Sequence, residues 1–68
     1  LSKEAEKRIR ELEDKEAKSN FDIGRFYERQ KIYNSAKLYY DFIIENYPKS
    51  SWAAKALERL QVIERKKR

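Results

Sequence analysis

From Ser2 to about Gln30, apolar or small side chains recur as Ala5, Ile9 and Leu12, then Ser19, Ile23 and Phe26. The spacings of three and four are those of one helical face. Nothing in this stretch breaks a helix except a tolerable Gly24, Ser2 suits the cap, and Glu4 and Glu6 suit the first turn. The stripe is thin before residue 17, where Lys15 and Glu16 interrupt it, so this half needs a surface to lie on. An unbroken helix of that length spans ~43 Å. The pattern therefore predicts either a break near Ala17 to Asn20 or a helix that joins two structural units.

Asn34 and Ser35 compete with the backbone for hydrogen bonds and favour helix starts, which predicts a second helix from about Tyr33 to Asn46. Ala36, Tyr40, Ile43 and Tyr47 fall on one side of it, and Leu38, Tyr39 and Phe42 on another. A helix apolar on two sides is expected to be sandwiched between neighbours. Tyr47-Pro48 ends it, because proline lacks the donor and disfavours helical backbone before it. Ser50 or Ser51 then caps a third helix, in which Trp52, Ala53, Ala56, Leu57, Leu60 and Ile63 keep the helical period. The expectation is an all-α fold, an antiparallel helical array with tight turns and no strand.

Composition narrows the function. Charged residues (43%) outnumber hydrophobic ones (40%), and no uncharged stretch approaches the ~20 residues of a membrane span. With neither Cys nor His, the chain offers no disulfide framework, zinc site or imidazole-based triad. No enzyme, cofactor or metal is expected. A chain of 68 residues draws only ~3–5 kcal/mol from its own core, so a partner surface is the expected staple. The sequence has no initiating Met and no secretory or lipidation signal, and reads as a segment of a longer protein.

The net charge of +5 divides unevenly: residues 1–16 hold five basic and six acidic groups, residues 17–50 six and four, residues 51–68 six and two. Much of the excess is Arg65, Lys66, Lys67 and Arg68, at a helix end where cations meet the negative pole of the dipole. Nucleic-acid binding would need those charges spread over a folded face.

Residues 17–50 carry a 34-residue helix–turn–helix pattern. Ile23-Gly24 is followed by Tyr27, Ala36 comes twelve residues after Gly24, and Pro48 twelve after Ala36. This resembles a tetratricopeptide repeat, in which Gly24 and Ala36 would let two helix backbones approach and Tyr27 and Tyr40 would fill the flanks. Asn20 stands where the repeat often has Trp, Ile43 where it often has Ala, and Lys31-Ile32 where it often has Gly and a polar cap. The division that follows is a connecting helix over 1–16, the repeat over 17–50, and a capping or half-repeat helix over 51–68.

A narrower likeness lies in four elements in order: Gly24-Arg25-Phe26-Tyr27, Tyr33-Asn34-Ser35-Ala36, Tyr47-Pro48-Lys49-Ser50 and Ala56-Leu57-Glu58-Arg59-Leu60. Over roughly residues 7–60 the chain is similar to the BamD-type (ComL/YfiO) outer-membrane assembly lipoproteins. The periplasmic TolA-binding, YbgF-like proteins share Tyr-Pro-x-Ser. The likeness implies a non-catalytic scaffold on the periplasmic side of the outer membrane, held by a lipid anchor outside this chain. Its partners would be other subunits of a barrel-assembly complex or an extended peptide.

A repeat array of this kind binds segments on the face made by the first helix of each repeat. Phe21, Arg25, Glu28 and Arg29 form one stripe there, with Phe21 as an apolar anchor and an Arg as a carboxylate fork. The alternative is that Phe21 packs internally and both Arg are solvated. Trp52 is the fifth candidate, as an interface anchor, against the alternative that it covers the end of the second helix between Phe42 and Tyr47. Tyr39 and Tyr40 read as core. Glu11, Glu13, Asp14 and Glu16 read as a solvated acidic stretch paired with Lys7, Lys15 and Lys18. Two other classes stay open: a homodimer formed by residues 1–30 as a coiled coil, for which the stripe is short, and a nucleic-acid hairpin using Arg59 and Arg65 to Arg68.

Overall fold

The computed structural model describes residues 3–66 as three helices, α1 (Lys3–Arg29), α2 (Tyr33–Asn46) and α3 (Ser51–Lys66), with no strand among the described residues. Ser2, Lys67 and Arg68 lie outside the described residues, and with them the expected first cap and part of the basic end. The all-α antiparallel arrangement expected from the sequence is what forms. α1 does not break near Ala17 to Asn20, because the Asn20 side chain donates to the Glu16 carbonyl one turn back (2.9 Å) instead of capping a new start.

The turn between α1 and α2 is tight. The Ile32 N–H bonds to the Tyr27 carbonyl (2.9 Å) and the Lys31 N–H to the Glu28 carbonyl (3.0 Å), a Schellman motif with Lys31 at φ 63°. Lys31 thus occupies the left-handed position that a glycine would take without strain. Ile32 both closes α1 and stands at the N-cap of α2, where its carbonyl accepts from Ala36 (3.1 Å) with no side-chain cap. Asn34 and Ser35, the expected starters, fall inside the first turn of α2 instead.

The second turn follows the sequence more closely. The Tyr47 N–H bonds to Ile43 (2.8 Å), Ser50 turns back to the Tyr47 carbonyl (3.0 Å), and the Ser50 hydroxyl accepts the Trp52 N–H (3.2 Å) as the cap of α3. This turn is tied to α1. Ser50 donates to Asp14 (2.6 Å) and Tyr47 to Glu16 (2.5 Å), so two carboxylates of the expected solvated stretch serve as latches. Of the lysines assigned to that stretch, Lys18 pairs with Asp22 (2.9 Å).

α2 lies between α1 and α3, which also touch each other. The buried apolar residues are Ala17, Ala36, Tyr40, Ile43, Ala53, Ala56 and Ile63. Four of these seven are Ala, so the helices approach closely and bury little side-chain volume. The face of α1 that packs runs through Ala17, Phe21, Gly24, Tyr27 and Glu28, whereas Ile9, Leu12, Ile23 and Phe26 are exposed. The expected stripe had the right period and the wrong face. Close approach selected the small residues and left the larger ones outside. On α2, Leu38 (70% exposed) and Phe42 (44%) stand largely in solvent, Phe42 edge-on to Tyr47 at 6.0 Å, while the opposite side packs on α1 and α3. Tyr39 is half-buried and stacks on Tyr27 at 5.7 Å.

What sits over Gly24 is the Tyr40 ring: a Cβ added at Gly24 would lie 2.7 Å from Tyr40 Cε1. Gly24→Ala gains about 1 kcal/mol of helix propensity but forces an anchored ring aside, at about 1–3 kcal/mol of overpacking. The substitution is expected to lower the melting temperature in the wild-type chain and to raise it in a Tyr40→Leu background, where only the propensity gain remains. Thermal circular dichroism of the four chains checks this, and the same sign in both backgrounds would refute the contact.

Candidate functional site

Two constellations lie side by side where α1 meets α3. The first is built on Trp52. The Ser50 cap sets Trp52 on the first turn of α3, where its ring tilts against Phe21 at a centroid distance of 5.1 Å. Phe21 in turn touches Tyr40 at 5.6 Å. Lys55 stands over the indole at 4.2 Å and Lys18 at 6.0 Å, a cation–π arrangement with one lysine from each helix. Trp52 lines an open groove of about 590 Å³ whose walls include Leu12, Arg8 and Lys15. Trp52 therefore packs against Phe21 of α1.

The second constellation is built on Glu28, one turn beyond Gly24 on the same face. It is 4% exposed, which no position in a solvated stripe would be. Tyr40 donates its hydroxyl to Oε1 (2.8 Å), and Arg59 grips both oxygens, with Nε on Oε1 (3.0 Å) and Nη2 on Oε2. Arg25 adds a contact at 3.1 Å and Lys66 approaches to 3.9 Å. Burial on its own would raise the Glu28 pKa. The hydrogen bonds from Arg59 and Tyr40 and the charges of Arg59 and Arg25 outweigh it and hold the carboxyl down to about 2. Burial, and then the bond to Glu28, push the Tyr40 hydroxyl well above its ordinary range.

The five residues expected to form a site are thus distributed unevenly. Phe21 and Trp52 come together, Arg25 leans onto Glu28, and Arg29 is exposed in the last turn of α1. Glu28 is a correction to the expected stripe. It is sealed under α3 by Arg59, and its chemistry is that of a buried ion pair. Sequence reasoning missed Tyr40 and Arg59 as its partners, since they lie 12 and 31 residues away and no helical spacing links them. A signal was present: Glu28 falls four residues after Gly24, on the face that packs. Lys18 and Lys55 were missed for the same reason of separation. Among the described residues no group of acidic side chains is placed to hold a metal ion.

A family model described as YfiO, outer membrane lipoprotein, matches residues 1–67, and the chain belongs to that family. The likeness read from Gly24-Arg25-Phe26-Tyr27 through Ala56-Leu57-Glu58-Arg59-Leu60 is borne out. No curated protein and no solved structure matches.

The depressed pKa of Glu28 makes a pH prediction. Its stabilising contribution is complete above the ordinary carboxyl value of 4.5 and is lost as pH falls towards 2. Glu28→Gln is expected to cost about 2–4 kcal/mol at neutral pH, by leaving Arg59 and Arg25 against an uncharged group. The variant should also lose most of the decline in stability that wild type shows between those pH values. Urea melts at pH 7, 4 and 2.5 test this, and parallel pH profiles for the two chains would contradict it.

Proposed function

We propose that this member of the YfiO family is a non-catalytic protein-binding scaffold that serves outer-membrane β-barrel assembly from the periplasmic side. The groove between α1 and α3 receives a segment of a partner protein. The observation that carries this reading is Trp52, a half-buried aromatic seated on Phe21 at the wall of an open groove whose two sides are held in place by the Glu28–Arg59 pair. Phe21 supports the Trp52 ring, and Arg25 and Arg29 present charge farther along α1. Glu28 acts beneath them as a structural anchor. Attachment to the membrane would come from a lipid anchor outside this chain. Arg59, a cation that the nucleic-acid alternative relies on, has its guanidinium on Glu28, which favours a protein partner over a polyanion.

The test is site-specific photo-crosslinking in cells, with the reactive residue placed at Lys15 or Lys55 beside the groove, or at Glu45 on the exposed side of α2. Adducts from the groove positions with an envelope assembly protein, identified by mass spectrometry, are expected. Adducts from Glu45 alone, or from none of the three, reject the groove.

A second reading, self-association, is favoured by the exposed Ile9, Leu12, Ile23 and Phe26 of α1 and by Leu38 and Phe42 of α2. Sedimentation equilibrium with far-UV circular dichroism separates the two. Mass and helicity rising together with concentration support self-association, and a cooperative helical monomer at micromolar concentration removes it.

A further inference from the structure

We infer that the outer face of α1 is covered by α1 of a second copy of this chain, running antiparallel about a twofold axis between Ala17 and Lys18. This goes beyond the scaffold reading; it gives the self-association reading its geometry and rests on it. α1 outruns its own neighbours. The latches from Ser50 and Tyr47 reach it at Asp14 and Glu16, and from Lys3 to Leu12 every residue except Ala5 is exposed. A helix end of that length is marginal in water without a surface to lie on.

The outer face has the period of a helix-pairing seam. From Ala5 to Phe26 it advances by four and three residues in strict alternation, the spacing of coiled-coil contact positions. Its large members, Ile9, Leu12, Ile23 and Phe26, are all exposed in the single chain. Between them the seam is interrupted by Glu16 and Ser19. Turned end over end, this pattern matches itself. Ile9 falls opposite the partner's Phe26, Leu12 opposite its Ile23, and the two polar positions, Glu16 and Ser19, opposite each other. A parallel pair would instead set Glu16 against Glu16, two carboxylates at one level of the seam. In the antiparallel pair the Glu16 oxygen left free by the Tyr47 hydroxyl meets a serine donor.

The flanks agree near the axis. Lys15 comes level with the partner's Asp22, a carboxylate that also holds Lys18, and the symmetry makes this pair twice. Arg8 and Arg29 are a like pair, but they lie at the outer ends and are exposed, where repulsion is screened. Each unsupported end, Lys3 to Leu12, is laid along the half of the partner's α1 that α2 and α3 already hold.

The chain has no cysteine, so introduced thiols report the alignment without interference. Under mild oxidation Ser19→Cys is expected to link to itself across the axis, and Leu12→Cys to link to Ile23→Cys in an equimolar mixture. Leu12→Cys alone should stay unlinked, because its two copies stand ~16 Å apart along the helices, beyond disulfide reach. Sedimentation equilibrium of the wild-type chain should give a dimer, and Leu12→Lys should weaken it by about tenfold or more. Leu12 is 63% exposed in the single chain, so the dilute variant should melt as wild type does. Self-linking of Leu12→Cys, or a dimer in which none of these thiols link, overturns the alignment and leaves self-association standing. A monomer at the highest soluble concentration overturns the inference and the self-association reading together, and leaves the scaffold reading to the groove crosslinks.

Discussion

The three helices meet at Tyr40. Its ring fills the space left by the missing side chain of Gly24, its edge touches Phe21, and its hydroxyl ends on Glu28, which Arg59 reaches from α3. Each contact depends on the others. A larger residue at Gly24 would lift the ring, a lifted ring would take its donor from Glu28, and a carboxylate short of donors would hold Arg59 less firmly. A buried carboxylate is tolerated only when its partners compensate for lost water, and here the compensation is drawn from all three elements.

This polar centre matters because the apolar core is slight. Among the described residues only Tyr40, Ile43 and Ile63 are large and fully buried, and the remaining buried apolar residues are alanines. Alanine seams bring helix backbones close but remove little apolar area from water, so burial alone supplies a modest share of the stability. The latches at the other end, from Ser50 to Asp14 and from Tyr47 to Glu16, are exposed and individually weak. Their effect is geometric: they hold the α2–α3 turn against the middle of α1. The sides of the groove around Trp52 are thereby fixed by contacts at both ends of α3.

The sequence made the helices legible and the faces only partly so. Tyr33 to Asn46 could be read from its flanks, Pro48 from its missing donor, and Ser50 from its place before a helical run, because each is a local effect. The buried side of α1 was harder. Ile9, Leu12, Ile23 and Phe26 have the strongest hydrophobic period, yet Ala17 packs in their place, since a neighbour's bulk decides which side of a helix is approached; Gly24, read from the repeat spacing as a point of close approach, does pack, beneath Tyr40. Lys31 in the left-handed region could not be anticipated from its side chain, and follows instead from the hydrogen bonds that end α1. The family likeness rested on short elements around the turns, which is why it survived a misplaced stripe.

Glu28 and Arg59 raise a last point about specificity. Small buried residues stand on both helices, Ala17 on α1 and Ala53 and Ala56 on α3. A seam of that kind would tolerate sliding by a helical turn, about 5.4 Å, at a small cost in buried apolar area. The charged fork would not. Displaced by one turn, Arg59 would leave Glu28 buried with fewer donors, a cost of about 3–5 kcal/mol, of the order of the whole stability expected of so small a core. We read the pair as a register device, in which the ionic contact selects one alignment among several that the alanines permit. That alignment sets Trp52 against Phe21 and beneath Lys18, so the composition of the groove depends on a buried carboxylate two turns away.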